Sequence, residues 1–343
     1  MPFLSHGGLS LRYERAGTGM PVVFLHGLAA NHAFWDRQVA LRQQLQLVRL
    51  DLRGHGDSSK PRGGYGMAAF AGDVAHLAAA LQLPRCILLG WSMGGVVALE
   101  AAHLLGERLA GLVLVGTGAS LAARSDYAHG LSDDERQGHL RLVEQDYKAF
   151  VRTLAGRLFA GEQPGLLQWV TQQMLRTPAH VAAAALAGIF EADERPSLPQ
   201  IAVPTLVLHG RADSIFPVAA AEHLATHIPG ARLVILERSG HAPMIEETDR
   251  FNSELATFVE SVATGNTTQV PAVTRPSTSP AAPAPPAPAA PAKPAKPAKG
   301  TPTPRQREKP SAAKTGPRAK KPAREHASSG RAHPGGGRTK KPS

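Results

Sequence analysis

Residues 90–95, GWSMGG, constrain this chain more than any other stretch. Cys86, Ile87, Leu88 and Leu89 before them form a short apolar run of strand type, and VVALEAAHLL after them is of helix type. Ser92 therefore falls where a strand turns sharply into a helix, a setting in which G-x-S-x-G exposes its serine oxygen above a sheet. The glycines have a steric role. Gly90 and Gly94 let neighbouring backbone pass close to a serine held at strained dihedrals, and Gly95 extends that clearance into the first helical turn. By average composition a bare G-x-S-x-G arises by chance in roughly one chain in ten of this length. The rest of the chain has to supply the serine with partners.

The surrounding pattern is an alternation of strands and helices. Leu9, Leu11 and Tyr13 alternate with polar neighbours and predict a half-exposed strand. Apolar runs at 21–26, 45–52, 111–115, 205–209 and 233–236 predict further strands, buried where the run is continuous. Helices are predicted over 34–44, 67–81, from the elbow to Gly106, and over 217–227 and 249–262. Such alternation implies right-handed crossovers and a mostly parallel sheet flanked by helices. Residues 121–198 interrupt it with helix-forming sequence, clearest at 140–159 and 168–189, which reads as a helical cap. The expected organisation is a core of residues 1–120 and 199–263, a cap of 121–198 and a tail of 264–343.

The tail explains the charge. Its 80 residues hold 16 Lys and Arg against 2 acids, 17 of the 29 prolines, and no Leu, Ile, Met, Phe, Tyr or Trp. The net charge of the whole chain is +11, so residues 1–263 are left at −3. A segment so poor in apolar surface cannot offset its ordering entropy, and disorder is expected. Its Lys, Pro and Ala resemble the basic tails of linker-histone-like proteins. They suit a nucleic acid or another polyanion as partner, held by salt-sensitive attraction to phosphate. With no aromatic to stack on bases, specific single-strand recognition is not expected. A merely solubilising extension is the alternative. Cys86 is the one cysteine, so no intrachain disulfide is possible, and its apolar neighbours predict a core residue. The first residues lack the pattern of a signal peptide and no run of 18 apolar residues occurs, so a cytoplasmic location is expected.

A serine alcohol needs a base to take its proton, an acid to orient that base and donors for the oxyanion. His241, in ERSGHAP directly after the last strand, is the candidate base, placed where a loop can lower its ring over the elbow. Asp213, in HGRADSIFP at the carboxyl end of another strand, is the candidate acid. Asp51 also ends a strand but precedes the serine, and its expected role is bonding the RGHG turn. The backbone N–H groups of Leu28 and Met93 are the candidate oxyanion donors, and the His26 side chain is expected to be structural. Gly27 would let backbone approach the substrate closely. Trp91 could wall an acyl pocket, and Leu154, Phe159, Trp169 and Met174 could line a substrate tunnel. Arg141, Lys148 and Arg152, at helical spacing, would make one face of the cap basic, suited to an anionic substrate or an acidic carrier protein, though a merely solvated face is the favoured reading.

In LHG at 25–27, DLRGHGDS at 51–58, GWSMGG at 90–95, HGRAD at 209–213 and SGHAP at 239–243, the chain resembles the α/β-hydrolase superfamily, in its capped serine-hydrolase branch. The resemblance spans nearly all of residues 1–263. It implies an α/β-hydrolase fold and a Ser92–His241–Asp213 triad acting by acyl transfer on a small-molecule ester or lactone, with no metal or organic cofactor. Carboxylesterases, enol-lactonases, cofactor-free haloperoxidases and the pimeloyl-carrier-protein methyl esterase share most of these motifs, so substrate stays open. Epoxide hydrolases and haloalkane dehalogenases place an aspartate at the elbow, and Ser92 argues against both. Two alternatives remain: a ligand sensor or scaffold tethered by the basic tail, and perhydrolase or haloperoxidase chemistry of the same triad.

Overall fold

The apolar runs PVVFL, CILLGW, LAGLVLV and TLVLHG are the strands of the protein's centre. A computed structural model describes residues 2–266. Its elements are, in order, β1 (Phe3–His6), β2 (Leu9–Ala16), β3 (Pro21–Leu25), β4 (Gln46–Leu50), α1 (Met67–Ala80), β5 (Cys86–Trp91), α2 (Met93–Leu105), β6 (Leu109–Val115), α3 (Asp133–Gln145), α4 (Tyr147–Gly156), α5 (Pro164–Met174), α6 (Ala179–Glu191), β7 (Thr205–Gly210), α7 (Val218–His227), β8 (Arg232–Leu236), α8 (Pro243–Glu246) and α9 (Thr248–Thr264). They build an α/β-hydrolase fold around an eight-stranded sheet ordered β1-β2-β4-β3-β5-β6-β7-β8. β1–β2 and β2–β4 are antiparallel, and every other pairing is parallel. All residues of β5, β6 and β7 are buried, as strands covered on both faces must be. Cys86 is buried in β5, and burial pushes its thiol up to about 11.

The order of connections matters for function. From β3 the chain crosses to β4 on one side, then returns to β5 on the other, with Leu25 beside Gly90. The strand order therefore reverses between β3 and β5. In open parallel sheets the crevice at such a reversal, beyond the carboxyl ends of the strands, is where ligands bind.

Several expectations need correction. A first strand, β1, pairs with β2 through Gly7 and Gly8, both at positive φ. The predicted helix at 34–44 is instead a run of 3-10 turns, His32–Gln43, capped by the Asn31 side chain accepting from the Ala33 N–H. Buried Trp35, Gln38 and Leu41 recur there every third residue, the period of that helix. The two long helices between β6 and β7 are each broken. Asp146 ends α3 with a non-helical backbone and starts α4 by accepting from the Ala149 N–H. Pro178 separates α5 from α6, because proline disfavours helical backbone in the residue before it. With the break at Asp146, Arg141 lies on α3 and Lys148 and Arg152 on α4, so no single helix carries all three; each is solvent-exposed. α9 closes at Gly265, in the left-handed region at φ 71.

The expected disordered tail and its polyanion-binding role fall, from residue 267 on, outside the described residues. Among the described residues, no helix is long and apolar enough to cross a membrane.

Candidate active site

The turn at Ser92 is built by close backbone approach. Trp91 is the last residue of β5 and Met93 the first of α2, leaving Ser92 between them at φ 55, ψ −120. For a residue with a Cβ this conformation costs on the order of 1–3 kcal/mol and persists only where the surroundings hold it. Here the Ser92 N–H donates to Val115 O at 2.9 Å, and Ser92 O accepts from Gly95 N and Thr117 Oγ1, each at 2.9 Å. A Cβ on Gly90 would lie 2.1 Å from Gly94 O, and one on Gly94 would lie 2.3 Å from Leu25 O. The glycines are therefore required by contact, and Thr117 is a support that the pattern G-x-S-x-G does not reveal.

Asp213 and His241 meet although they come from different loops. Asp213 lies three residues beyond β7, and its Oδ1 accepts from the N–H groups of Ile215 (2.8 Å) and Phe216 (3.0 Å). Its Oδ2 accepts from His241 Nδ1 at 2.8 Å. Burial would raise the Asp213 carboxyl, but the adjoining His241 and His209 and the N–H donors outweigh it, and the group stays below its ordinary value. With Nδ1–H engaged by a carboxylate, Nε2 of His241 is left as the basic nitrogen. Trp91 Nε1–H donates to His241 O at 2.7 Å, and the Phe216 ring stacks on the imidazole at 6.1 Å.

Residues that the sequence did not single out complete this arrangement. His209, fully buried at the end of β7, donates from Nε2 to Phe216 O at 2.9 Å, and the same nitrogen lies 3.4 Å from Asp213 Oδ2. Burial lowers its pKa, which favours a neutral ring. Gly116, at φ 49, leaves the space into which the His241–Asp213 pair fits. Glu246 is a double anchor: Oε2 accepts from Gly240 N at 2.6 Å and Oε1 from Ala160 N at 2.8 Å. The Ala242 N–H donates to Leu158 O at 3.0 Å. The segment after α4 is thereby joined on both sides of His241. Glu247 holds the same loop by accepting from Arg238 N and Ser239 Oγ.

The loops after β3 and β4 form the opposite wall. His26 is buried; its Nδ1–H donates to Gly27 O at 2.8 Å and its Nε2 accepts from Leu52 N at 3.1 Å. Burial lowers its pKa to about 4, so it is a neutral bracket, in keeping with a structural role. Asp51 does bond the RGHG turn, accepting from Asp57 N at 2.9 Å, and also takes the N–H and Nδ1 of His32. Despite burial, His32 and these donors bring Asp51 down to about 2.

Gly27, Leu28, Trp91, Ser92, Met93 and His241 line one cavity of about 50 Å³ at the β3/β5 reversal, with Asp213 behind His241. Phe150, Leu154, Leu158, Met174, Leu186 and Ile189 roof it from α4, α5 and α6 and the turn after α4. Leu154 and Met174 thus stand where a tunnel lining was expected, whereas Phe159 and Trp169 are not among the lining residues. Trp169 instead packs behind the wall, its ring 5.1 Å from that of Phe34. No group of three or more His, Cys, Asp or Glu among the described residues could hold a metal ion.

The fold recurs among known proteins. A family model described as the alpha/beta hydrolase fold matches residues 20–248. The pimeloyl-acyl-carrier-protein methyl ester esterase of Nitrosomonas europaea is 33% identical over 252 residues, 71% of this chain and 97% of that protein. An esterase structure from Exiguobacterium antarcticum superposes with a TM-score of 0.73 at 31% identity, covering 76% of this chain and 99% of its own. A bromoperoxidase structure from Bacillus anthracis gives a TM-score of 0.71 at 25% identity, covering 74% of this chain and 96% of its own.

Proposed function

Since the chain belongs to the alpha/beta hydrolase family and is of the carboxylic-ester-hydrolase kind, we propose that it cleaves a small or medium carboxylic ester or lactone through an acyl-enzyme on Ser92. One observation carries the reading: Ser92, at φ 55, opens onto the same cavity as His241, whose Nδ1 lies 2.8 Å from Asp213. Ser92 Oγ attacks the ester carbonyl while His241 Nε2 takes its proton. Asp213 holds the imidazole and stabilises the imidazolium that forms. The carbonyl oxygen becomes an oxyanion against the N–H groups of Leu28 and Met93. His241 then returns the proton to the departing alcohol and takes one from water, which adds to the acyl carbon; the imidazolium passes that proton to Ser92 Oγ as the acid leaves.

The test is hydrolysis of 4-nitrophenyl acetate by the full chain and by Ser92→Ala. Loss of a serine nucleophile lowers kcat by about a million-fold, which would leave only background. Hydrolysis unchanged in Ser92→Ala would refute the assignment. A second reading draws on the likeness to the bromoperoxidase. Hydrogen peroxide in place of water at the acyl-enzyme would yield a peracid, which oxidises halide. Bromination that needs acetate, peroxide and bromide together, and is lost in Ser92→Ala, would support it; bromination equal in both proteins would not.

A further inference from the structure

From the cavity lining, we infer that the substrate's acyl group is short and uncharged, and that esters bearing a carboxylate on the acyl part are excluded. The inference rests on Ser92 being the nucleophile and narrows what that nucleophile acts on. Apart from Ser92, His241 and the Trp91 N–H, which is engaged by His241 O, the lining side chains are apolar. Among the described residues, no lysine or arginine lines the cavity. Arg157, adjacent in sequence to Leu158, bonds Ser214 O, Arg176 bonds Asp57, and Lys148 and Arg152 of α4 are solvent-exposed and do not line the cavity.

Among the described residues lining this cavity an anion has no cation to meet, and it also faces negative charge. Asp213 lies directly behind His241, buried and held below its ordinary pKa. The cavity is small as well, at about 50 Å³. One water needs about 10–15 Å³ of such space, so a carboxylate cannot enter with its hydration shell. It would be stripped of water and left unpaired, among the costliest placements a polar group can have. Neutral acyl chains of a few carbons exchange water for Leu28, Leu154, Leu186 and Ile189 at no such cost.

The experiment compares methyl butyrate, dimethyl succinate and monomethyl succinate with the full chain at pH 8, following methanol release. The three acyl groups have similar reach, and only the last is anionic. We expect kcat/KM for monomethyl succinate to fall at least about 30-fold below that for methyl butyrate. Dimethyl succinate should then stop at one equivalent of methanol, because its first product is the excluded anion. A ratio smaller than this, or release of both equivalents at similar rates, overturns the inference and leaves the Ser92 reading intact. So does failure to cleave methyl butyrate while 4-nitrophenyl acetate is still hydrolysed in a Ser92-dependent way. If 4-nitrophenyl acetate is not hydrolysed either, the Ser92 reading itself fails and the inference falls with it.

Discussion

Replacing Gly116 with alanine adds one carbon at the point where the His241–Asp213 pair is seated. A Cβ there would lie 2.9 Å from His241 O, 3.3 Å from His241 Nδ1 and 3.4 Å from Asp213 Oδ2, on a backbone at φ 49. The last two contacts are tight but tolerable, while the first forces His241 back by a few tenths of an ångström. The displaced oxygen is the one that accepts from Trp91 Nε1–H, so the imidazole loses alignment with the elbow as well as position. A misplacement of 1 Å costs about 100-fold in rate, and a few tenths should therefore lower kcat about three- to tenfold. Left-handed backbone costs alanine about 1–2 kcal/mol, a drop in Tm of about 2–8 °C for a domain of this size. KM should hardly move, since Gly116 does not line the cavity. Steady-state kinetics with 4-nitrophenyl acetate and a thermal melt measure all three. A lowered Tm with wild-type kcat would show that the seat does not govern the imidazole. A raised KM with intact kcat would place the effect in the cavity.

Glu246→Ala removes the acceptor for both Gly240 N and Ala160 N. It should cost about 1–3 kcal/mol in urea unfolding and lower kcat, with Glu246→Gln intermediate because one acceptor remains; equal unfolding of alanine variant and wild type would contradict the anchor. A pH effect is expected at Glu194, whose carboxyl is pushed from 4.5 up to about 7 by burial and by neighbouring Glu100. The folded state keeps this proton up to about pH 7 and the unfolded state releases it near 4.5, so stability falls as pH rises through that window. Glu194→Gln should therefore raise stability by about 2–3 kcal/mol at pH 8.5 and change it little at pH 4.5. An equal effect at both pH values in urea unfolding would exclude the linkage.

Ser92, Asp213 and His241 could be picked out because each follows an apolar strand and stands within three residues of a glycine. Strand ends are where a parallel sheet presents its loops, so position along the chain translated directly into position in space. The supporting residues carry no such mark. His209 reaches the site by bonding Phe216 O, and Glu246 by accepting backbone N–H groups, one of them 86 residues away. Gly116 is needed only because of what two other loops place against it. These roles depend on three-dimensional coincidence, which periodicity does not record. The breaks at Asp146 and Pro178 were obscured for another reason. The flanking stretches are strongly helix-forming, and one capping aspartate or proline outweighs that propensity locally. Trp169 shows the limit for side chains: its helix was expected, but which of its faces met the cavity was not.

The link between the α4–α5 turn and the His241 loop runs through main-chain groups on the roof side: the Ala160 N–H and the Leu158 carbonyl. Every residue except proline offers that N–H, so the attachment does not care which side chains the roof carries. Leu154, Leu158 and their neighbours are thus free to diversify while His241 stays moored. In directed evolution, libraries at these roof positions should change selectivity at little expense in turnover, whereas a proline at position 160 would remove one of the two links without touching a single lining side chain.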